Sequence, residues 1–117
     1  IYRLAEMIEA RRADLGEALR MDAAPCSRAA ADREVTVAID RLVHYAGWAD
    51  KYEQVLGNTN PVASPHFNFT VTEPMGVVGV IAPDAPSLLG LITLVAPIIV
   101  SGNTVEKSRN CKPKNQP

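Results

Sequence analysis

The chain has 117 residues, 47% of them hydrophobic and 21% charged, with a formal net charge of −1. That composition excludes a disordered, collagenous or acidic-tail protein, and near-neutrality removes the basic surface that a nucleic-acid binder needs. The length suits one small domain or a piece of a larger one. Cys26 and Cys111 stand far apart, with no CxxC and no histidine at ligand spacing. Neither a metal site nor a disulfide framework is expected, and a reducing, cytoplasmic setting is the default.

Charges enter at once after Ile1, at Arg3, Glu6 and Glu9, which is not how a signal peptide starts. The most apolar stretch, residues 85–100, is 16 residues long and interrupted by Pro86 and Pro97. It falls short of the roughly 18–20 residues that a bilayer requires, so it is expected in a core and no membrane partner is expected. Residues 1–60 hold 18 of the 25 charges, residues 61–105 hold only Glu73 and Asp84, and the last dozen turn basic. A charged front, an apolar middle and a polar tail follow one another without repeats.

The front reads as two helices. Leu4, Ile8, Arg11, Leu15 and Leu19 recur at steps of three and four, predicting one stripe on which Arg11 sits only by snorkelling. Pro25 interrupts, and Ser27 is the expected N-cap of a second helix. That helix carries Val35, Ile39, Leu42, Ala46 and Ala49 on one face and runs to about Tyr52. Both stripes are ordinary core faces and identify no function.

The period then changes. Phe67, Phe69 and Val71 alternate with Asn68, Thr70 and Thr72, the mark of a half-buried strand. The run Gly76-Val77-Val78-Gly79-Val80-Ile81-Ala82-Pro83 predicts a strand buried on both faces, as in a parallel sheet. Pro86 and Ser87 can open a helix through Leu88, Leu91, Ile92 and Val95, which Ser101-Gly102-Asn103 ends, and Thr104-Val105 starts another extended stretch. Strand, helix and strand make a βαβ unit with an expected right-handed crossover. In such sheets ligands bind beyond the carboxyl ends of strands, here the turn at residues 81–85, where a helix N-terminus is available for an anionic or polar group. No GxGxxG or GxxxxGK[ST] is present, and Gly76, Gly79 and Gly90 lack phosphate-loop spacing. The pattern leaves open a nucleotide site or a packed unit with nothing bound.

Three segments carry a resemblance. Tyr45-Ala46-Gly47-Trp48-Ala49-Asp50-Lys51 resembles the YAGWADK segment of the aldehyde dehydrogenase superfamily. Glu73-Pro74-Met75-Gly76-Val77-Val78-Gly79-Val80-Ile81-Ala82-Pro83 resembles its EPxGVVGxIxPWN segment, and Ala96-Pro97 with Ser101-Gly102-Asn103-Thr104-Val105 resembles APALAAGNTVVLKPSE. Order and spacing agree over residues 1–105, which makes a chance match of all three improbable.

The resemblance implies an α/β fold with N-terminal helices, an oligomerisation-type strand at residues 67–72 and the first βαβ unit of a Rossmann-like coenzyme-binding domain. Residues 1–105 would form the N-terminal part of that domain and residues 106–117 a divergent, unpacked tail. It also implies oxidation of an aldehyde substrate to a carboxylic acid with NAD or NADP, in a homo-oligomer. In that chemistry a cysteine thiolate forms a thiohemiacetal, hydride passes to the nicotinamide, and a glutamate activates the hydrolytic water. Neither Cys26 nor Cys111 matches the nucleophile's surroundings, so no catalytic residue is assigned. The positions that match the cofactor-lining segment are Ile81, Ala82, Pro83 and Asp84.

The chain departs from the family pattern twice. Asp84-Ala85 stands where the family usually has Trp-Asn, whose amide helps hold an oxyanion; alanine cannot donate, and Asp84 brings a carboxylate toward the expected path of a pyrophosphate. After Val105, Glu106-Lys107-Ser108 breaks the expected strand, Lys107 comes one place early for the ribose-binding lysine and Lys112 several places late. These departures leave two readings: part of an NAD(P)-dependent enzyme, or a noncatalytic dehydrogenase-like module for oligomerisation or scaffolding.

Overall fold

The computed structural model describes residues 1–22 and 26–108. Pro25, expected to interrupt the front helices, and residues 109–117, which include Cys111 and Lys112, lie outside the described residues. The elements are α1 (Tyr2–Ala10), α2 (Arg12–Met21), α3 (Arg28–Ala46), α4 (Tyr52–Leu56), β1 (Asn58–Asn60), β2 (Asn68–Thr70), β3 (Val77–Ile81), α5 (Ser87–Val100) and β4 (Thr104–Ser108).

The shortest dimension of the body is 17 Å. Packed helices sit about 8–10 Å apart, so that thickness leaves room for one buried layer. Helix α3 supplies it. Ala31, Val35, Ala38, Leu42 and Ala46 are buried at steps of four and three, and Val35 and Leu42 are the largest side chains with almost no exposed area. They share one cluster with Ala5 and Ile8 of α1, Leu19 of α2, and Ile92 and Ala96 of α5. Ser27 caps α3 as expected, its hydroxyl accepting a hydrogen bond from the Ala30 N–H at 3.2 Å. The helix stops at Ala46, and residues 47–51 turn, so Ala49 is exposed instead of extending the buried face.

The single N-terminal helix is corrected to two. Arg11 leaves helical geometry at φ −109°, ψ 21°, and the break lets α1 and α2 each lie on α3. The buried stripe shifts accordingly: Ala5 and Ile8 face the core, whereas Leu4 and Arg11 are exposed. Next to the break, the Arg12 guanidinium holds Glu9 at 2.7 Å, Asp32 at 3.1 Å and the Thr36 hydroxyl at 2.7 Å. It thereby ties the α1–α2 junction to α3. The bonds to Glu9, then Asp32, push its pKa up.

Strands β3 and β4 pair in parallel across α5, with Val77 opposite Thr104 and Ile81 opposite Ser108. This is the expected βαβ unit in an α/β fold. Asn103 sets the pairing. Its Oδ1 accepts the Met75 and Gly76 N–H groups at 2.7 and 3.0 Å, its Nδ2 donates to Ser101 Oγ at 3.0 Å, and the Thr104 N–H donates to the Gly76 carbonyl at 2.9 Å. Gly102 makes the preceding turn at φ +79°, where a Cβ would also lie 2.9 Å from Pro74 Cγ.

Three strand expectations change. Strand β3 is buried on one face only: Val80 is buried and Val78 half-buried, while Val77 and Ile81 are 68% and 69% exposed. Helix α5 covers one side of the pair, and among the described residues nothing covers the other. Residues 67–71 are all exposed, and the half-buried residue of the 67–72 run is the polar Thr72. Strand β2 is short, exposed throughout and antiparallel to β1, with Thr59 opposite Phe69. Strand β4 continues through Glu106, Lys107 and Ser108, because backbone pairing with Gly79, Val80 and Ile81 needs no apolar side chain on an open face.

Replacing Leu42 with alanine should destabilise the chain by about 2–5 kcal/mol through a core cavity. Ser27→Ala should cost about 1 kcal/mol through the lost cap. Denaturant titration monitored by circular dichroism checks both, with the exposed Leu4→Ala as a control expected to change little.

Candidate functional site

The carboxyl end of β3 opens into a loop, residues 82–86, which includes a cis Ala85–Pro86 peptide and leads into α5. Beside it lies an apolar groove of about 570 Å³ lined by Ile81, Ala82, Pro83 and Pro86 from the strand and loop, and by Leu89, Gly90, Thr93 and Leu94 from α5. Three of the four predicted cofactor residues thus share one wall. Asp84 is exposed and not among the lining residues.

Gly90 lies directly against the loop at Pro83. A Cβ at this position would overlap Pro83 Cγ and come within 2.9 Å of Pro83 Cδ, so only hydrogen fits between the α5 backbone and the proline ring. Sequence spacing excluded Gly90 from a phosphate loop. What it permits is the close approach of loop and helix, a signal that only three-dimensional proximity reveals.

The first turn of α5 corrects a second expectation. The sequence predicts its N–H groups to be available for an anionic ligand. Instead the Leu88 and Leu89 N–H groups both donate to Glu34 Oε1, at 2.9 and 3.0 Å. A carboxylate of the chain already occupies the positive end of the helix dipole. Glu34 escaped the sequence reading because it lies 54 and 55 residues from its partners. One trace was present: Glu34 stands three residues after buried Ala31 and directly before buried Val35, at the edge of the core stripe.

The arrangement can seat the uncharged parts of an extended ligand against Ile81, Ala82 and Pro83. It does not fit a phosphate at the head of α5, where the Leu88 and Leu89 amides are taken and a second anion would meet Glu34. Among the described residues, no three His, Cys, Asp or Glu side chains gather to hold a metal ion, and no helix is long and apolar enough to cross a membrane.

A parallel βαβ unit preceded by a helical layer, with an apolar groove at the carboxyl end of its first strand, defines an α/β fold. Residues 1–110 match the model of the aldehyde dehydrogenase family, and the chain belongs to that family. It is 38% identical over 106 residues to the cytosolic 1 aldehyde dehydrogenase of Elephantulus edwardii, covering 90% of this chain and 20% of that protein. The NAD+ complex of the Bacillus cereus aldehyde dehydrogenase superposes with a TM-score of 0.82 at 29% identity, over 91% of this chain and 21% of that one. The NADP complex of glyceraldehyde-3-phosphate dehydrogenase GapN from Methanocaldococcus jannaschii superposes with a TM-score of 0.80 at 25% identity, over 91% and 22%. The chain spans about a fifth of the length of these relatives.

Gly90→Ala should displace the Pro83 ring and lower stability by about 1–3 kcal/mol through overpacking. A denaturation midpoint unchanged from wild type would show that loop and helix separate freely.

Proposed function

We propose that the chain forms the front of an NAD(P)-dependent aldehyde dehydrogenase, an oxidoreductase that converts an aldehyde to its carboxylic acid in the cytoplasm. The family match over residues 1–110, with Ile81, Ala82 and Pro83 together on one groove wall at the carboxyl end of β3, carries this reading.

The residues present fit the uncharged portion of a dinucleotide. Ile81, Ala82 and Pro83 would hold it by excluding water from one side, and Gly90 keeps that wall closed against α5. When bound, NAD or NADP supplies a hydride acceptor. Its pyrophosphate has to be met by groups other than the first turn of α5, because Glu34 caps that turn and Asp84 adds a carboxylate at the adjoining loop. Ala85 has no side-chain donor for an oxyanion, the kind of group whose loss costs about 10²–10³ in rate. Stabilisation of the oxyanion would then fall to other groups of the longer enzyme, and the thiolate nucleophile and hydrolytic base are likewise not assigned to this chain.

On this reading the 117-residue chain should show no aldehyde oxidation and should bind NAD more weakly than about 1 mM. Titration by ligand-detected NMR and an NADH-formation assay with several aldehydes check both expectations. A low-micromolar dissociation constant, or turnover abolished by Cys26→Ala, would overturn them.

Homo-oligomer formation through the β1–β2 hairpin belongs to the same proposal. The Phe67 and Phe69 ring centroids lie 5.4 Å apart at a 34° tilt, Phe67 just before exposed β2 and Phe69 within it, and Val71 just after it is exposed. An alternating apolar strand with an open edge favours pairing with another chain. Sedimentation analysis should find association at micromolar concentration, reduced by Phe69→Lys. A single sharp monomer across the concentration series would count against the hairpin as an interface.

A further inference from the structure

We propose that Glu34, which lies on α3 outside the groove, is a positioning residue for the groove's loop wall. Its carboxylate fixes the first turn of α5 and, through that turn, the placement of residues 82–86. The loop's importance rests on reading the groove as a dinucleotide wall; the positioning itself does not.

The first N–H groups of any helix lack intrahelical acceptors. In α5 the N-cap residue is Pro86, whose ring offers no acceptor, so this position makes no side-chain cap. A single oxygen, Glu34 Oε1, serves Leu88 and Leu89 together. Two N–H donors on one carboxylate oxygen form charge-assisted bonds, and the negative charge sits at the favourable end of the helix. Glu34 itself is held in place: Val35 beside it and Ala31 and Ala38 on the same helix are all buried.

The five-residue loop, 82–86, is therefore pinned at both ends. Its start is fixed by the β3–β4 ladder, which runs to Ile81 opposite Ser108. Its end is fixed by Glu34 at Leu88 and Leu89. Between these anchors Pro83 closes on Gly90. Releasing the second anchor frees α5 to slide along or tilt against α3, and the Pro83 wall moves with it. Glu34 would thus set the geometry of a surface that its own side chain does not line.

The test uses the isotopically labelled 117-residue chain without dinucleotide, in wild type, Glu34→Ala and Glu34→Gln. In Glu34→Ala the Leu88 and Leu89 amides should exchange at least about tenfold faster, as expected for losing a charge-assisted bond. The amide resonances of Ala82, Asp84 and Ala85 should shift with them, while those of Thr59 and Phe69 in the separate β1–β2 hairpin stay in place. Glu34→Gln keeps an acceptor oxygen without the charge, and should restore most of the loop resonances and part of the protection.

Unchanged Leu88 and Leu89 exchange in Glu34→Ala would overturn the proposal. Faster exchange with the loop resonances unmoved would overturn it too, leaving Glu34 a plain helix cap. If Glu34→Ala does not fold, Glu34→Gln decides. Intermediate exchange with a partial loop shift supports positioning, and exchange or loop resonances identical to wild type oppose it. These exchange and shift readouts need no dinucleotide, so a failure of the groove reading leaves them unchanged and is distinguishable from failure of this proposal.

Discussion

The structure depends on the contact between α3 and α5. Val35, Ala38 and Leu42 on one helix and Ile92 and Ala96 on the other belong to one buried cluster, and the small residues allow the two axes to approach closely. Helix α5 is also the crossover between the two parallel strands, so its seating on α3 determines where the sheet lies. The helical layer and the βαβ unit share this one core, and Glu34 adds the polar link between them at the loop end of α5.

Much of this was legible in the sequence because the signals are local. Ser27 capped the helix that it was expected to cap, Gly102 turned the chain where a left-handed residue was needed, and the β-branched run became a parallel strand. The errors share one cause. Periodicity records which side chains would profit from burial, and a partner surface decides which of them are buried. Val77, Ile81, Phe67 and Phe69 carry strand patterns on faces that no described element covers. The break at Arg11 was invisible for the same reason: the stripe from Leu4 to Leu19 is continuous as a pattern, and only the shape of α3 makes two short helices the better packing.

The groove divides along the same line. Ile81, Ala82 and Pro83 are neighbours in sequence, and a strand end followed by a helix start places them together. Glu34 and Gly90 act over distances that a linear reading does not register. The first is a carboxylate in a charged segment with many others, the second a glycine in an apolar helix. Each acquires a role only when α5 folds back: Glu34 removes the helix head from the groups open to an anion, and Gly90 lets Pro83 close the wall.

The uncovered face of the β3–β4 pair has an uneven chemical character. Alternation puts Val77, Gly79 and Ile81 of β3 on it beside Thr104, Glu106 and Ser108 of β4. One row is greasy and the other hydrophilic, with a carboxylate at its centre opposite a residue that has no side chain. If copies of the chain were to stack in register along the β4 edge, Glu106 would face its own image, and repulsion between like charges in adjacent strands opposes that geometry. The same polar residues that interrupt the apolar pattern of the last strand therefore disfavour in-register stacking of β4 on its own copy.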